Sequence, residues 1–258
     1  MPGWLIVGLK EVRDHSRDNR ALGVAALYAL MGPAVVFLVS RSSAVEKGGP
    51  RLLVALMSVF ALVSAFTSGM HVALDTAAGE RERGSLVPLL LNPVSRLHLV
   101  VGKWAGVSAF SLVGLALTLV GFTLAFEWGG VEPPRDLIVP VLVWIVCGLM
   151  PLALFGAALD LFAAASCKTL KEAQGRLSFV MFAPMMVGMF LVFFPGRLGP
   201  WSFAVPVIGQ QALIGAGLRG QPISPLHAGL VGVTTMAAAL LIVLATARSF
   251  SRNEIAAG

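Results

Sequence analysis

Hydrophobic residues fall into six long runs along the chain, and shorter polar connections separate the runs. They cover residues 21–40, 52–74, 99–126, 137–166, 177–195 and 226–247. A helix needs about 20 apolar residues to cross the hydrocarbon core of a membrane, so each run is long enough to span it. The third and fourth runs are long enough to tilt or to extend beyond the lipid. The pattern predicts six transmembrane helices.

The first 20 residues follow a different pattern. They open with an apolar stretch that contains Trp4 and Leu9, and they then become strongly polar. An amphipathic segment with an aromatic anchor is typical of a helix that lies on the membrane instead of crossing it. We therefore expect an N-terminal interfacial helix over residues 1–20.

Residues 196–225 also differ from a simple connection. The segment is fairly apolar, but glycine and proline residues break it into pieces of about ten residues, which are too short to span. Such pieces are typical of re-entrant or interfacial helices that are buried against protein on the outer side. An external loop without regular structure is the alternative interpretation.

Composition supports a membrane location for the whole chain. Hydrophobic residues make up 57% of the sequence and charged residues 12%, whereas soluble domains carry about 25% charged residues. A water-soluble globule of this size could not bury so much apolar surface, and a disordered chain needs low hydrophobicity and high charge. The sequence predicts an all-α integral membrane protein with a single transmembrane domain over residues 1–258.

The distribution of basic residues predicts the orientation. Thirteen of the 19 Lys and Arg residues lie in or beside one alternating set of connections, and six lie in the other set. The positive-inside rule places the richer set, and therefore both termini, in the cytoplasm. The net charge of +6 then reflects an anionic membrane surface and not a nucleic-acid partner. The richer set is 1–20, 75–98 with Lys103, 167–176 and 248–258, and the poorer set is 41–51, 127–136 and 196–225.

Several ionisable residues lie within the apolar runs or at their ends, among them Asp160, His71 and Asp75. Such residues are costly inside a membrane and are therefore functional candidates. Asp160 is surrounded by apolar residues in the fourth run, and it could pair with a basic neighbour or lie at the inner interface. His71 and Asp75 lie one helical turn apart, so they share a helix face at the end of the second run. They could form a cation or proton site there, or they could simply mark the end of the span.

The sequence contains no enzymatic or metal-binding motif. HExxH, GxSxG and the phosphate loop GxxxxGK[ST] are all absent from the 258 residues. Cys147 and Cys167 would lie about 30 Å apart on one helix, too far for a disulfide. We expect no catalytic residue, no metal and no cofactor in this chain, so ATP-driven work would require another polypeptide.

The connection between the second and third runs combines charge with a short apolar helix. Residues 80–83 alternate Glu and Arg and must lie in water. Ser85 is a good N-cap, Pro88 falls in the first turn, and Asn92 with Pro93 ends the predicted helix. A short apolar helix flanked by charge should bury its apolar face. Lipid headgroups and a soluble partner protein are the two alternatives for the surface that covers this apolar face.

This segment resembles a known family. The sequence AGERERGSLVPLLLNPVSRLHLVVGKW is similar to the signature of ABC-2-type permeases, the membrane subunits of one class of ATP-binding-cassette exporters. The similarity is strongest to the sodium-efflux (NatB-like) branch. The N-terminal LKEVRDHSRDNR, with the following run that contains Pro33, resembles the family's opening helix and first span. The sequence CKTLKEAQG resembles its second internal loop.

The resemblance implies a coupling mechanism and a type V exporter-like fold. The helix after the Glu/Arg cluster would be a coupling helix that inserts into a groove on a separate ATPase. A permease homodimer would work with two copies of that ATPase, which would bind ATP and Mg. The implied ATPase-contacting residues are Gly79, Glu80, Arg81, Glu82, Arg83, Gly84, Ser85 and Leu86 through Leu91, including Leu89 and Leu90.

The function implied is therefore ATP-driven export across a bacterial inner membrane. The resemblance favours sodium as the exported substrate. A lipid-like or amphipathic cargo is an alternative, because the membrane interior offers few charged ligands beyond Asp160. A second alternative is a membrane anchor that moves no solute and transmits ATPase motion to envelope machinery such as pili or gliding motors.

Overall fold

The computed structural model describes residues 2–84, 95–132, 138–194 and 199–255, and these residues form helices without any strand. Two π-helical turns cover Leu74–Gly79 and Trp144–Leu149, and a 3₁₀ helix covers Pro200–Ala204. The helices are α1 Gly3–His15, α2 Asn19–Ser40, α3 Ser43–Thr67, α4 Met70–Ala73, α5 Glu80–Glu82, α6 Arg96–Gly129, α7 Ile138–Val143, α8 Met150–Ala165, α9 Leu170–Phe193, α10 Ile208–Leu218 and α11 Pro225–Ile255.

Within the described ranges, six helical stretches are long and apolar enough to cross a membrane, which confirms the predicted all-α fold with six spans. We call the bundle end that holds Glu80 and Leu170 the inner end, and the end that holds Gly130 and α10 the outer end. The spans are Leu22–Ser40, Leu52–Glu82, Arg96–Gly129, Ile138–Ala165, Leu170–Phe193 and Pro225–Ser249.

The second span extends further than the sequence predicts. The expected end was residue 74, where charged residues begin, but the helix continues through the π-helical turn to Glu82. The helix tolerates this charge because Lys103 supplies a buried countercharge. It ends where a helix stop is expected, since Gly84 adopts a left-handed backbone conformation with φ +70°.

The fifth span also begins earlier than the predicted residue 177. Helix α9 starts at Leu170, because the Thr169 side chain caps it by accepting a hydrogen bond from the backbone N–H of Glu172. Much of the predicted connection 167–176 is therefore helical. The sixth span likewise passes its predicted end at residue 247, since α11 continues to Ile255.

The outer segment 196–225 contains two short helical pieces, the 3₁₀ helix and α10. Gln210 at the start of α10 is fully buried and donates from Nε2 to Thr235 Oγ1 on α11. Its Oε1 accepts from the backbone N–H of Val207 and so holds that residue at φ 72°, which non-glycine residues rarely adopt. The re-entrant or interfacial placement of the outer segment stays a prediction.

Helix α1 packs directly onto the backbone of α6. It has 13 residues, too few to span a membrane. A Cβ atom added at Gly102 would lie 2.6 Å from Val7 Cβ and 2.7 Å from the Trp4 carbonyl oxygen, and one at Gly106 would lie 2.8 Å from Glu11 Cβ. The absence of side chains at these two positions allows the close contact. The predicted interfacial location of α1 remains an expectation.

The apolar core extends along the bundle as two main clusters. The larger one includes Phe66 and Phe122, and the second surrounds the inner end of the second span with Leu74 and Leu161. This second cluster fixes the position from which the charged side chains of the inner end project.

Candidate functional site

Lys103 occupies the centre of the inner-end site, on the third span. Its side chain is 0% exposed, and its ammonium group donates to the Thr76 carbonyl at 2.7 Å and to Thr76 Oγ1 at 2.9 Å. Carboxylate oxygens of Glu80 and Glu11 lie 2.7 and 3.4 Å from the same Nζ atom. One buried cation thus joins α6 to α1 and to the end of the second span.

Glu80 was expected in water with the rest of its Glu/Arg cluster, and the structure corrects this. Its side chain is only 12% exposed and is paired with Lys103. The physical reason is that a buried ammonium group is stable only with a compensating charge and satisfied donors. The sequence shows the alternating Glu/Arg cluster, but it does not show that Glu80 is buried against Lys103.

A second set of ion pairs continues from Glu11. His15 Nδ1 lies 2.9 Å from the Glu11 carbonyl oxygen and 3.8 Å from Glu11 Oε2, while its Nε2 lies 3.3 Å from Asp75 Oδ2. Asp75 Oδ1 accepts from Arg83 Nη1 at 2.8 Å. The Asp75 carboxylate raises the pKa of His15 above its usual value. Burial of the imidazole lowers this pKa, whereas the neighbouring Glu11 raises it. Both ring nitrogens face acceptors, which favours the protonated imidazolium.

These contacts form one continuous series of alternating charge, which we call the charge chain. It begins and ends on the same segment, because its first member, Glu80, and its last member, Arg83, both follow the π-helical turn Leu74–Gly79. Between them it passes through α6 and α1. Its members, in order, are Glu80, Lys103, Glu11, His15, Asp75 and Arg83.

Arg81 and Glu82 bind the connection between α8 and α9. Arg81 Nη1 donates to the Cys167 carbonyl at 3.0 Å, and Glu82 Oε2 accepts from the backbone N–H of Leu170 at 2.7 Å. A carboxylate at the first N–H of a helix is favourable because it satisfies an unpaired donor and the helix dipole. Burial raises the pKa of the Cys167 thiol, so this side chain packs as a neutral group. The two predicted internal connections therefore contact each other.

Gly79 and Gly84 complete the described part of the predicted ATPase contact, which we call the 79–84 motif. A Cβ atom at Gly79 would lie 2.8 Å from Asp75 Oδ1 and 3.2 Å from Arg83 Nη2, so its absence lets that ion pair lie against the helix. The other predicted contacts lie outside the described residues. They are Ser85 and Leu86 through Leu91, which include Leu89 and Leu90.

His71 and Asp75, two of the three predicted transport-path residues, line one cavity of about 230 Å³ at the inner end. His15 and Asp18 line the same cavity from the N-terminal region, which the sequence reading did not connect with them. His71 and Asp75 therefore face the same cavity, and the cavity shares Asp75 and His15 with the charge chain.

Asp160, the third predicted residue, does not line this cavity. It lies in α8 and is 1% exposed, and its Oδ2 has no hydrogen-bond partner among the residues the structure describes. Gly156, one turn earlier on the same face, packs against the backbone of Phe66 in the second span. Asp160 is thus a buried carboxyl group on the face directed at the second span.

The described residues contain no group of three or more His, Cys, Asp or Glu side chains arranged to hold a metal ion. The sequence pattern does not identify Glu11 and His15 as site residues, and Lys103 counts there only among the basic residues that predict orientation. The one available signal was a lysine near the start of an otherwise apolar run. Nothing in the sequence pairs it with Glu11, because that residue is 92 positions away.

Comparison with known proteins gives consistent matches. A family model described as "ABC-2 family transporter protein" matches residues 5–252. The chain is 34% identical over 197 residues to the "ABC transporter permease protein NatB" of Bacillus subtilis (strain 168), covering 69% of this chain and 48% of that protein. It is 28% identical over 131 residues to the "Probable ABC transporter permease protein NosY" of Pseudomonas aeruginosa, covering 47% and 44%. The chain thus matches about half the length of these curated relatives.

Proposed function

The chain belongs to the ABC-2 family of transporter proteins, as a multi-pass membrane permease component, and we propose that it couples ATP hydrolysis by a separate ATPase chain to export through its helix bundle. Components of this family are permeases and not ATPases. In this proposal the 79–84 motif receives the motion of the ATPase and passes it to the spans.

The observation that carries this proposal is the set of bonds made by the motif. Its Glu80 side chain reaches α6 and, through Lys103, also α1. Arg81 and Glu82 reach the start of α9. A displacement of the motif would therefore move three helices together, whereas a segment attached only through its own helix could move alone.

The proposed assembly contains two permease copies and two ATPase subunits, with ATP and Mg held by the ATPase. The resemblance of residues 78–104 to ABC-2 permeases supports this arrangement. The distribution of basic residues supports an inner-membrane location with both termini in the cytoplasm, so that the inner end faces the ATPase.

Co-expression with an ATPase encoded beside this gene tests the coupling proposal. We expect the two proteins to purify together and the permease in proteoliposomes to change the rate of ATP hydrolysis. Glu82→Lys, which places a cation beside Leu170 N–H, should weaken that change, and Glu172→Lys serves as a matched exposed control in the neighbouring turn. Absence of a complex, or equal behaviour of the two variants and the native chain, would refute the proposal.

We propose sodium as the exported cargo, with Asp160 as a ligand on its path. The resemblance to the sodium-efflux branch supports the ion, and the unpaired buried Oδ2 supports the residue. Sodium should stimulate ATP hydrolysis in proteoliposomes that contain the complex. Asp160→Asn, which keeps the shape but not the charge, should remove the stimulation, whereas Asp14→Asn on the exposed face of α1 should keep it. Stimulation by added lipid but not by sodium would favour an amphipathic cargo and overturn the sodium assignment.

A further inference from the structure

A cavity of about 410 Å³ opens at the outer end of the bundle, far from the charge chain. Its walls come from the second span, the end of α9 and the outer segment, and most of the lining is apolar. The lining includes Ala55 from the second span, Leu191 from α9 and Ala212 from α10. The volume falls in the range of small-molecule pockets, roughly 300–1,000 Å³.

Among the residues that the structure describes, Arg219 is the only Lys, Arg, Asp or Glu in the lining. A Cβ atom at Gly215 would lie 3.3 Å from Arg219 Nη1, so the guanidinium group folds back over α10 beside a residue that also lines the cavity. Its Nη2 donates to Gln221 Oε1 in one long bond of 3.4 Å. It forms no ion pair within the described ranges, so most of its five donors remain available.

Gln211 adds a buried amide group to the lining. The residue is 5% exposed, and its Oε1 accepts a hydrogen bond from Ser58 Oγ at 3.1 Å. Its Nε2 has no partner among the described residues. A buried amide donor without a partner is unfavourable unless a ligand or water binds it.

We infer that this outer cavity binds an anionic amphiphile, with a phosphate-type or carboxylate headgroup at Arg219 and an apolar chain beside Ala212 and Leu191. The headgroup is anionic because the described part of the lining offers one cation and no carboxylate. The ligand carries an apolar part because the remaining walls are mainly aliphatic, with the ring of Phe203 stacked on that of His227. A free inorganic anion would leave these walls without a partner. The inference does not depend on the ATPase.

Native mass spectrometry of the full chain, without ATPase and in a non-ionic detergent, measures this binding directly. The probes are dodecyl phosphate, dodecyltrimethylammonium and inorganic phosphate. The native chain should retain one dodecyl phosphate, bind the cationic amphiphile more weakly, and show no competition from an equal concentration of inorganic phosphate.

Two variants separate the headgroup site from the apolar site. Arg219→Gln should weaken dodecyl phosphate binding by at least about tenfold, as expected for the loss of charged hydrogen bonds, and Arg219→Lys should restore part of it. Ala212→Phe, which fills the cavity without changing charge, should also remove binding. The control is Arg41→Gln, an exposed outer-end arginine that donates to the Trp128 carbonyl outside the cavity, and it should bind normally.

Three results would overturn the inference. The first is an Arg219→Gln variant that binds as tightly as Arg41→Gln. The second is equal binding of the cationic and anionic amphiphiles, and the third is inorganic phosphate competing as well as dodecyl phosphate does. Because no arm contains an ATPase, failure here would leave the coupling proposal intact.

Discussion

The ammonium group of Lys103 lies 2.7 Å from the carboxylate of Glu80, and the lysine side chain has no exposed surface. This contact connects the third span to the last turn of the second, within the 79–84 motif that is proposed to meet an ATPase. A pair in this position restricts how far the 79–84 motif can move without α6. The same Nζ atom also contacts Glu11, which brings α1 into the unit.

Replacing Lys103 tests the importance of this buried cation for stability. Lys103→Met leaves two buried carboxylates without their counterion, so we expect a loss of about 3–5 kcal/mol of stability. Adding Glu80→Gln should recover part of the loss, because it removes one of the uncompensated charges. Thermal unfolding in detergent measures both effects. Lys168→Met, at an exposed position, is the control. If Lys103→Met lowered the stability no more than Lys168→Met does, the result would argue against the charge chain.

Stability should depend on pH through His15. Its pKa is raised in the folded protein above the ordinary value of 6.5, chiefly by Asp75. A raised folded pKa means that the contribution is fully present below pH 6.5 and is lost as the pH rises through the folded value. The difference in melting temperature between the native chain and His15→Gln should therefore be large in mildly acidic buffer and shrink in alkaline buffer. The exposed residue His98 gives the control variant His98→Gln, and a His15→Gln difference as flat as the control's would contradict the assignment.

The close contact of α1 with α6 predicts a sharp distinction between two glycines. Gly102→Ala would bring a methyl group within 2.7 Å of the Trp4 backbone oxygen, which cannot move without moving α1. We expect a destabilisation of about 1–3 kcal/mol and faster proteolysis of α1. Gly229→Ala on α11 meets nothing within 4 Å and should be neutral or stabilising. Equal proteolysis of α1 in the two variants would show that α1 does not depend on this contact.

Much of the fold follows from the sequence alone, because hydrophobic length is the dominant requirement for crossing a membrane. Six runs predict six spans, whereas nothing in the sequence pattern indicates that the second one continues to Glu82. The predicted end at residue 74 was wrong because charged residues terminate a span only when no countercharge lies within the bundle. Lys103 provides that countercharge from a different helix.

The candidate site is less predictable for the same reason. The Glu/Arg cluster is visible in the sequence, but the partners of its members are not. Lys103 lies in an apolar run, and Glu11 lies in the polar half of an amphipathic helix. Only the packing of α1 onto Gly102 and Gly106 brings them together. Sequence therefore locates the segment, and tertiary structure shows which helices it contacts.

If the 79–84 motif transmits ATPase motion to the bundle, coupling should require the hydrogen bond from Leu170 N–H to Glu82 Oε2. The measurement is the permease-dependent rate of ATP hydrolysis in proteoliposomes containing the neighbouring-gene ATPase. Glu82→Gln retains an acceptor oxygen and should keep most of the permease effect on that rate. Glu82→Leu loses the acceptor and should abolish the effect while the complex still assembles. Lys171→Leu, at an exposed control position in the first turn of α9, should behave like the native chain. A fully coupled Glu82→Leu permease would contradict the account.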